Sequence, residues 1–213
     1  MTQEQEDASI HIAPNGPYLV MGDIPITNSD DRVLHPPSFY RLCRCGGSST
    51  KPFCDGTHMH NGFDGTETAD HGSVAGRRAE YRGEGITILD DRSICAHAGI
   101  CTNNLAAAFK LGAEPWIDPS GAEAEAIKAI IDRCLSGALA YAKSGAQTQA
   151  GGENDAITLL KEGPIQVEGS VALSSSDDSP YTIPVRCTLC RCGGSGNKPF
   201  CDGSHWGNDF TDS

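Results

Sequence analysis

Apolar and polar residues alternate along Tyr18-Leu19-Val20-Met21-Gly22-Asp23-Ile24, and again along Ile165-Gln166-Val167-Glu168-Gly169-Ser170-Val171. Period-two patterning bounded by Gly and Pro is the signature of short strands. Glu84 to Leu89 reads as a further strand. Helical spacing is confined to the centre of the chain. Asn104 to Leu111 reads as a short helix stopped by Gly112. Ala124, Ile127 and Ile131 share one helical face behind Ser120 and Glu123, which have the spacing of a capping box. The pattern therefore predicts an α+β chain with two small β-rich ends around a compact unit running from about Gly76 to Lys143. Residues 144–155 (SGAQTQAGGEND) have the composition of a flexible linker, and a second boundary is expected near Thr66–Gly76.

The two ends are copies of one another. Adding 147 to any position from Gly16 to Phe63 reaches its counterpart without a gap: Gly16 maps to Gly163, Val20 to Val167, Cys43 to Cys190 and Phe63 to Phe210. Between Cys43 and His58, thirteen of sixteen residues recur between Cys190 and His205. The units expected are 1–70 and 156–213 for the copies and 76–143 for the middle.

Composition narrows what such units can be. Aromatic residues make up only 6%, while Gly (25) and Pro (12) are plentiful. Small units with so little core usually need a metal or a disulfide to hold them. The MTQEQED start is acidic and carries no export signal, so a cytoplasmic setting that keeps thiols reduced is expected, which favours metal. A net charge of −12 argues against a nucleic-acid partner. No apolar run approaches the roughly 18 residues that would cross a bilayer.

The ten cysteines fall into three groups, each with a histidine: Cys43, Cys45, Cys54 with His58; Cys95, Cys101, Cys134 with His97; and Cys187, Cys190, Cys192, Cys201 with His205. In the outer groups, two cysteines one residue apart can bind one iron through a tight loop that Gly46-Gly47 and Gly193-Gly194 leave open to backbone approach. Loop N–H groups can then donate to the sulfur atoms. Cys54 and His58, four residues apart over a turn that Asp55 could cap, suit a second iron, as do Cys201 and His205 over the turn that Asp202 could cap. A three-Cys, one-His set is also a zinc composition, but zinc loops usually place two to four residues between the first cysteines.

The stretch Cys43-Arg-Cys45-Gly-Gly-Ser48 through Cys54-Asp55-Gly56-Thr57-His58, repeated from Cys190 to His205, resembles the CDGSH iron–sulfur domain family. The resemblance covers roughly half of the chain. It implies a 2Fe–2S cluster in each copy, bound by Cys43, Cys45, Cys54 and His58 and by Cys190, Cys192, Cys201 and His205, with the histidine side open to solvent. Cys187, whose counterpart is Tyr40, reads as a buried spare thiol. Lys51 and Lys198, just before the motif proline, are candidates to donate to a ligand histidine or to sit in solvent. His11, His35, His60 and His71 have no copy and read as surface residues.

In the middle unit, Cys95 and Cys101 stand six apart, as the first and third cysteines of a 4Fe–4S ferredoxin loop would. Ala98 fills the central slot, and Cys134 serves as the remote cysteine. One ligand is missing, which leaves a 3Fe–4S core or a fourth bond from His97. A helix start after Cys101 would favour its thiolate. Cys95-Ala-His97-Ala-Gly-Ile-Cys101, Pro115-Trp116-Ile117-Asp118-Pro119 and Cys134-Leu-Ser136-Gly137-Ala138-Leu139 resemble the divergent mono-cluster ferredoxin domain family.

No nucleophile–base pair, phosphate loop or dinucleotide fingerprint is visible, so no enzyme activity is expected. The expectation is an iron–sulfur electron carrier acting with a redox partner protein. The competing class is a storage or transfer protein that hands clusters to an apo acceptor. Because single-motif relatives pair two copies and this chain carries two, the ends are expected to pack as an intramolecular pseudo-dimer in a monomer.

Overall fold

The computed structural model describes residues 8–143, 146–148, 152 and 154–212. The first copy supplies β1 (Ser9–Ile12), β2 (Tyr18–Met21), β3 (Ile26–Thr27), β4 (Val33–Leu34) and β5 (Phe39–Leu42). The middle supplies α1 (Val74–Arg77), β6 (Ala79–Arg82), β7 (Thr87–Asp90), α2 (Ile100–Asn104), α3 (Ala124–Ile131), β8 (Leu139–Lys143) and β9 (Ala146–Thr148). The second copy supplies β10 (Ala156–Leu159), β11 (Ile165–Glu168), β12 (Ala172–Ser174), β13 (Pro180–Tyr181) and β14 (Arg186–Leu189).

Each outer sheet mixes strands of both copies. One has the order β13-β12-β1-β2-β5 and the other β14-β11-β10-β3-β4. The joints are parallel and equivalent: Ile10 faces Leu173 where β1 meets β12, and Ile157 faces Ile26 where β10 meets β3. Both registers obey the offset of 147. Alternation turns Ile10, Ile12, Tyr18, Val20 and Leu42 inward from one sheet and Ile157, Leu159, Ile165, Val167 and Leu189 inward from the other, forming one shared core. Burying each such side chain contributes about 1.5–3 kcal/mol.

The middle unit has its own sheet, β6-β7-β8-β9, and its own core around Ile88, Phe109, Ile117 and Ile127. Ile127, Ile130 and Ile131 are the buried face of α3, as the spacing predicts. The capping box does not form. Ser120 Oγ donates to Asp118 Oδ1 at 2.6 Å, and Glu123 caps α3 without a side-chain bond.

The helix expected over Asn104–Leu111 lies earlier, at Ile100–Asn104. Gly99 opens it in the left-handed region, and Leu105 leaves helical geometry at φ −147°. The chain beyond turns to make the bridge between Phe109 and Ile117. The strand expected over Glu84–Leu89 is β7, shifted toward Asp90. Of the expected linker at 144–155, residues 144–145, 149–151 and 153 lie outside the described residues, whereas 146–148 pair with β8 as β9. No helix among the described residues is long and apolar enough to cross a membrane.

Candidate metal centres

Each Cys-Arg-Cys segment follows the last strand of its copy, and the backbone hydrogen bonds that anchor the ligand cysteines recur in both. Cys43 N–H donates to Pro52 O and Cys190 N–H to Pro199 O, each at 2.8 Å. Cys54 N–H reaches Arg41 O and Cys201 N–H reaches Thr188 O, each at 2.9 Å. Ser48 Oγ and Ser195 Oγ donate to Phe53 O and Phe200 O at 2.7 Å, tying the two halves of the loop.

Asp55 and Asp202 do more than cap. One oxygen of each accepts from the Thr57 or Ser204 N–H at 3.0 Å, at the start of the turn that carries the histidine. The other accepts from the Ser49 or Gly196 N–H across the loop at 2.8 Å. The Thr57 hydroxyl, which donates to Asp55 Oδ1 at 2.7 Å, and these N–H bonds to the charged form hold the Asp55 carboxyl well below the usual carboxylate range.

The four expected ligands of each copy come together as two pairs. Cys43 Sγ and Cys45 Sγ are 3.7 Å apart, as are Cys190 and Cys192. His58 Nδ1 stands 3.4 Å from Cys54 Sγ, and His205 Nδ1 stands 3.4 Å from Cys201 Sγ. Two sulfurs on one tetrahedral metal at about 2.3 Å are about 3.8 Å apart, and a sulfur and an imidazole nitrogen about 3.6 Å. Each pair therefore fits one metal atom. Among the described residues, no three of His, Cys, Asp or Glu converge on a single metal position. The set thus suits a two-metal centre better than one zinc ion.

Gly47, Gly194 and Gly203 N–H groups each point at a ligand sulfur (Cys45, Cys192 and Cys201) at 3.4 Å, the donors that a negatively charged cluster needs.

The loops of the two copies touch. Cys45 and Cys192 form a backbone bridge. A Cβ on Gly46 would lie 2.7 Å from Cys192 O, and one on Gly193 would lie 2.7 Å from Cys45 O. Both glycines also have φ near +77°, at 76° and 78°. The backbone approach that the glycines were expected to permit is made by the other copy.

Sequence reasoning passed over the arginine inside each Cys-Arg-Cys. Arg44 is 1% exposed; its Nε donates to Gly16 O and its Nη2 to Ala13 O, with its guanidinium over Tyr18 and Phe63. Arg191 does the same to Gly163 O and Leu160 O, and it also pairs with Asp212. Tyr18 was missed as well: its hydroxyl donates to Cys190 O at 2.8 Å, bracing the other copy's loop. For the arginines the signal was present, since Arg44 and Arg191 recur at the offset of 147.

Burial pushes the Cys43 thiol up and the Cys201 thiol up to about 12. Within the close Cys190–Cys192 pair, the hydrogen bond between them raises Cys190 and lowers Cys192 to about 6, with Gly194 N–H also favouring the Cys192 thiolate. Cys187 is fully buried beside Val167, with its thiol pushed up to about 12 by burial, as a spare core thiol would be. Lys198 does not reach a histidine; its Nζ donates to Ser195 O at 2.7 Å within its own loop. His35 and His60 are exposed as expected. His71 stacks on Tyr181 at 3.9 Å, and half-buried His11 meets Ser174 Oγ at 3.1 Å.

In the middle unit, Cys95, Cys101, Cys134 and His97 line one cavity of about 250 Å³, together with Arg92 and Trp116. Arg92 Nη1 lies 3.6 Å from Cys95 Sγ, with its guanidinium stacked on Trp116. Backbone N–H groups of His97 and Leu139 point at Cys95 Sγ (3.4 Å) and Cys134 Sγ (3.5 Å). Three thiols lining one cavity, with N–H donors and a cation beside them, suit an iron–sulfur cluster. Cys101 lies inside α2 rather than ahead of it, and burial pushes its thiol up to about 11. His97 Nδ1 stands 3.0 Å from Asp202 O. A carbonyl only accepts, so Nδ1 carries the proton and Nε2 remains as the lone-pair nitrogen.

Comparison with known proteins agrees with this geometry. The family model described as "Iron-binding zinc finger CDGSH type" matches residues 15–59 and 162–206. The chain belongs to the CDGSH iron-binding family. Between its two CDGSH domains, residues 81–144 match the family described as "Divergent 4Fe-4S mono-cluster". The chain is also similar to "Uncharacterized protein YjdI" of Escherichia coli strain K12 and of Escherichia coli O157:H7. Each is 38% identical over 61 residues, which cover 29% of this chain and 80% of the relative. No solved structure matches the chain. The protein thus binds iron–sulfur clusters through its CDGSH domains.

Proposed function

We propose that the chain is a one-electron carrier. In this reading each CDGSH domain holds a 2Fe–2S cluster on its three cysteines and one histidine. The middle domain holds a third cluster, 4Fe–4S or 3Fe–4S, on Cys95, Cys101 and Cys134, with His97 Nε2 as the candidate fourth ligand. The domains are those of residues 1–70, 76–143 and 156–213, and the two ends pack as an intramolecular pseudo-dimer that leaves the protein a cytoplasmic monomer.

The observation that carries the reading is contact between all three sites. The ligand Cys45 bridges the ligand Cys192 through backbone, and His97 of the middle loop bonds the carbonyl beside the ligand Cys201. Such contacts bring the sites within range for an electron to pass through the chain to a partner protein. When bound, the clusters supply the redox change. The residues hold them, screen their charge with N–H groups and Arg92, and exclude water from Cys190 and Cys201, which are 1% and 2% exposed.

A second reading, cluster transfer to an apo acceptor, draws on His58, which is half-buried rather than covered and offers a neutral, displaceable ligand. Incubating the loaded protein with an apo-ferredoxin separates the two. Clusters that persist through repeated reduction and reoxidation without moving to the acceptor support electron carriage, and clusters that appear on the acceptor overturn it. Iron above four per chain is expected if the middle domain is loaded.

A further inference from the structure

Four features set the surroundings of the two CDGSH sites apart. Phe39, Thr50 and Met59 of the first copy are replaced by Arg186, Asn197 and Trp206 in the second, and the middle domain meets the second copy through two of these. Arg186 Nη1 donates to Asp132 O at 2.9 Å and to Cys134 O at 3.1 Å, the latter being the carbonyl of a middle-site ligand. Asn197 Nδ2 donates to Ser93 O. Trp206 lies against His205, ring centroids 4.8 Å apart. The fourth difference is at the turn glycine: a Cβ on Gly203 would meet Ala96 O at 3.2 Å and His97 Cβ at 3.3 Å, whereas one on its counterpart Gly56 would meet only the tip of Met59.

The consequence is unequal access. His205 is 7% exposed and Cys201 is buried, while His58 and Cys54 are half-buried beside a shallow opening lined by Pro14, Asn15, Met59 and Phe63.

At the centre of this contact is His97. Its N–H donates to Cys95 Sγ at 3.4 Å, and its Nδ1–H donates to Asp202 O at 3.0 Å. The Asp202 carbonyl is amide-linked to Gly203, whose N–H donates to Cys201 Sγ at 3.4 Å. One residue therefore joins a thiol of the middle site to a thiol of the second CDGSH site. His97 does this at φ +52°, a conformation non-glycine residues adopt rarely and hold only when their surroundings enforce it.

We infer that His97 is a positioning residue that bridges the middle site to the second CDGSH site, making that site an internal relay and leaving the first CDGSH site as the terminal open to a partner. The inference rests on the electron-carrier reading. The step is a single-electron exchange: an electron accepted from a reductant at one end is given to a one-electron acceptor protein at the other. No bond changes at His97, and its Nδ1 proton stays where it is.

The test uses the full-length loaded protein and the variants His97→Ala and His97→Asn. Asn tolerates positive φ and keeps an N–H donor for Asp202 O. Iron and sulfide are counted first. Four irons in the wild type would overturn both the three-cluster reading and the bridge before any variant is compared. With the middle site loaded, loss of the two CDGSH clusters to EDTA at neutral pH, followed apart from the middle cluster by their own spectra, is expected in two phases of equal size, and Cys54→Ser removes the fast one. His97→Ala should speed the slow phase about fivefold, the worth of one buried hydrogen bond. It should also reduce the relaxation enhancement that the reduced middle cluster exerts on the second CDGSH EPR signal. His97→Asn should restore both, compared at the middle-site iron that the two variants retain, since both lack Nε2. If alanine leaves both measurements unmoved, or if asparagine at the same middle-site iron content restores neither, the bridge is wrong. If His97→Ala does not fold, Asn197→Thr, which installs the first copy's residue, must speed the slow phase in the same direction, and its failure to do so overturns the inference.

Discussion

The first and second CDGSH domains hold their ligand pairs at the same separations, yet one histidine is half-open and the other is 7% exposed. Their loops share the Ser-to-carbonyl tie, the Asp that links two strands of the loop, and the buried arginine. What differs most is the surface that packs against the ligand loop. Duplication copied the chemistry of binding, while the middle domain changed the access to it. A ligand motif therefore specifies what is held, and its neighbours specify how readily it is reached.

The largest effect is expected at the ligand loops, where each copy presses on the other in the same way. Gly46→Ala and Gly193→Ala should each be strongly destabilising, because the left-handed backbone alone costs about 1–2 kcal/mol and the new Cβ also strikes the facing carbonyl. Because the contact is reciprocal, either variant should lower iron occupancy in both CDGSH sites, measured alongside thermal unfolding. Loss confined to the mutated copy would show that the loops are independent.

The arginines should part company next. Arg191→Met takes away the cation paired with Asp212 and should cost about 3 kcal/mol, the low end for breaking a buried pair, because Asp212 keeps the Glu162 N–H and some contact with water. Arg44 has no such carboxylate, since Gly65 stands at the place of Asp212. Arg44→Met should therefore cost only about 1–2 kcal/mol for the lost hydrogen bonds. Equal melting temperatures for the two variants would remove this asymmetry.

Exchanging the residues that follow the ligand histidines sharpens the comparison further. Trp206→Met should speed loss of the second cluster to a chelator by about two- to tenfold, the worth of one aromatic contact. The first cluster should be unaffected. No change would mean that the middle domain alone accounts for the cover on His205.

The smallest effect is expected at Cys187, the core thiol standing where the first copy has Tyr40. Cys187→Ala should cost only about 1 kcal/mol. In the folded protein this thiol should resist iodoacetamide at pH 8, because a thiol pushed up to about 12 is almost wholly protonated there. Rapid labelling in the native state would contradict its burial.

Much of this was legible in the residues. Alternation located β2 and β11, and the repeat announced both ligand sets, because ligand spacing is a local property of the chain. What could not be read is what depends on other parts of the chain. Asn104 reads as the start of a helix but lies at the end of α2, where its side chain turns back to Ile100 O. Ser120 has the spacing of a cap but spends its hydroxyl on Asp118. Tyr18 looks like any strand residue until the other copy's loop supplies the carbonyl it bonds. The role of His97 depends on a residue 105 positions away. The arginines within Cys-Arg-Cys were legible in principle, since the repeat preserves them, but a charged residue between two ligands is easily taken for a surface one.

The mixed sheets carry a consequence for how the chain comes into being. Strand β1, at residues 9–12, is completed on one side only by β12 at 172–174, and β3 waits for β10 at 156–159. During synthesis at about 5–20 residues per second, the first copy emerges and then stays without these neighbours for roughly five to twenty seconds. The middle domain, whose sheet closes within its own stretch, has no such wait. Long separations of this kind slow folding, because the loop must be closed before its contacts stabilise anything. The order of assembly is then built into the order of the strands: the middle forms first, the last copy supplies the missing edges, and the two CDGSH loops meet only at the end. A chain that stops early is left with unpaired strand edges rather than with half a working protein.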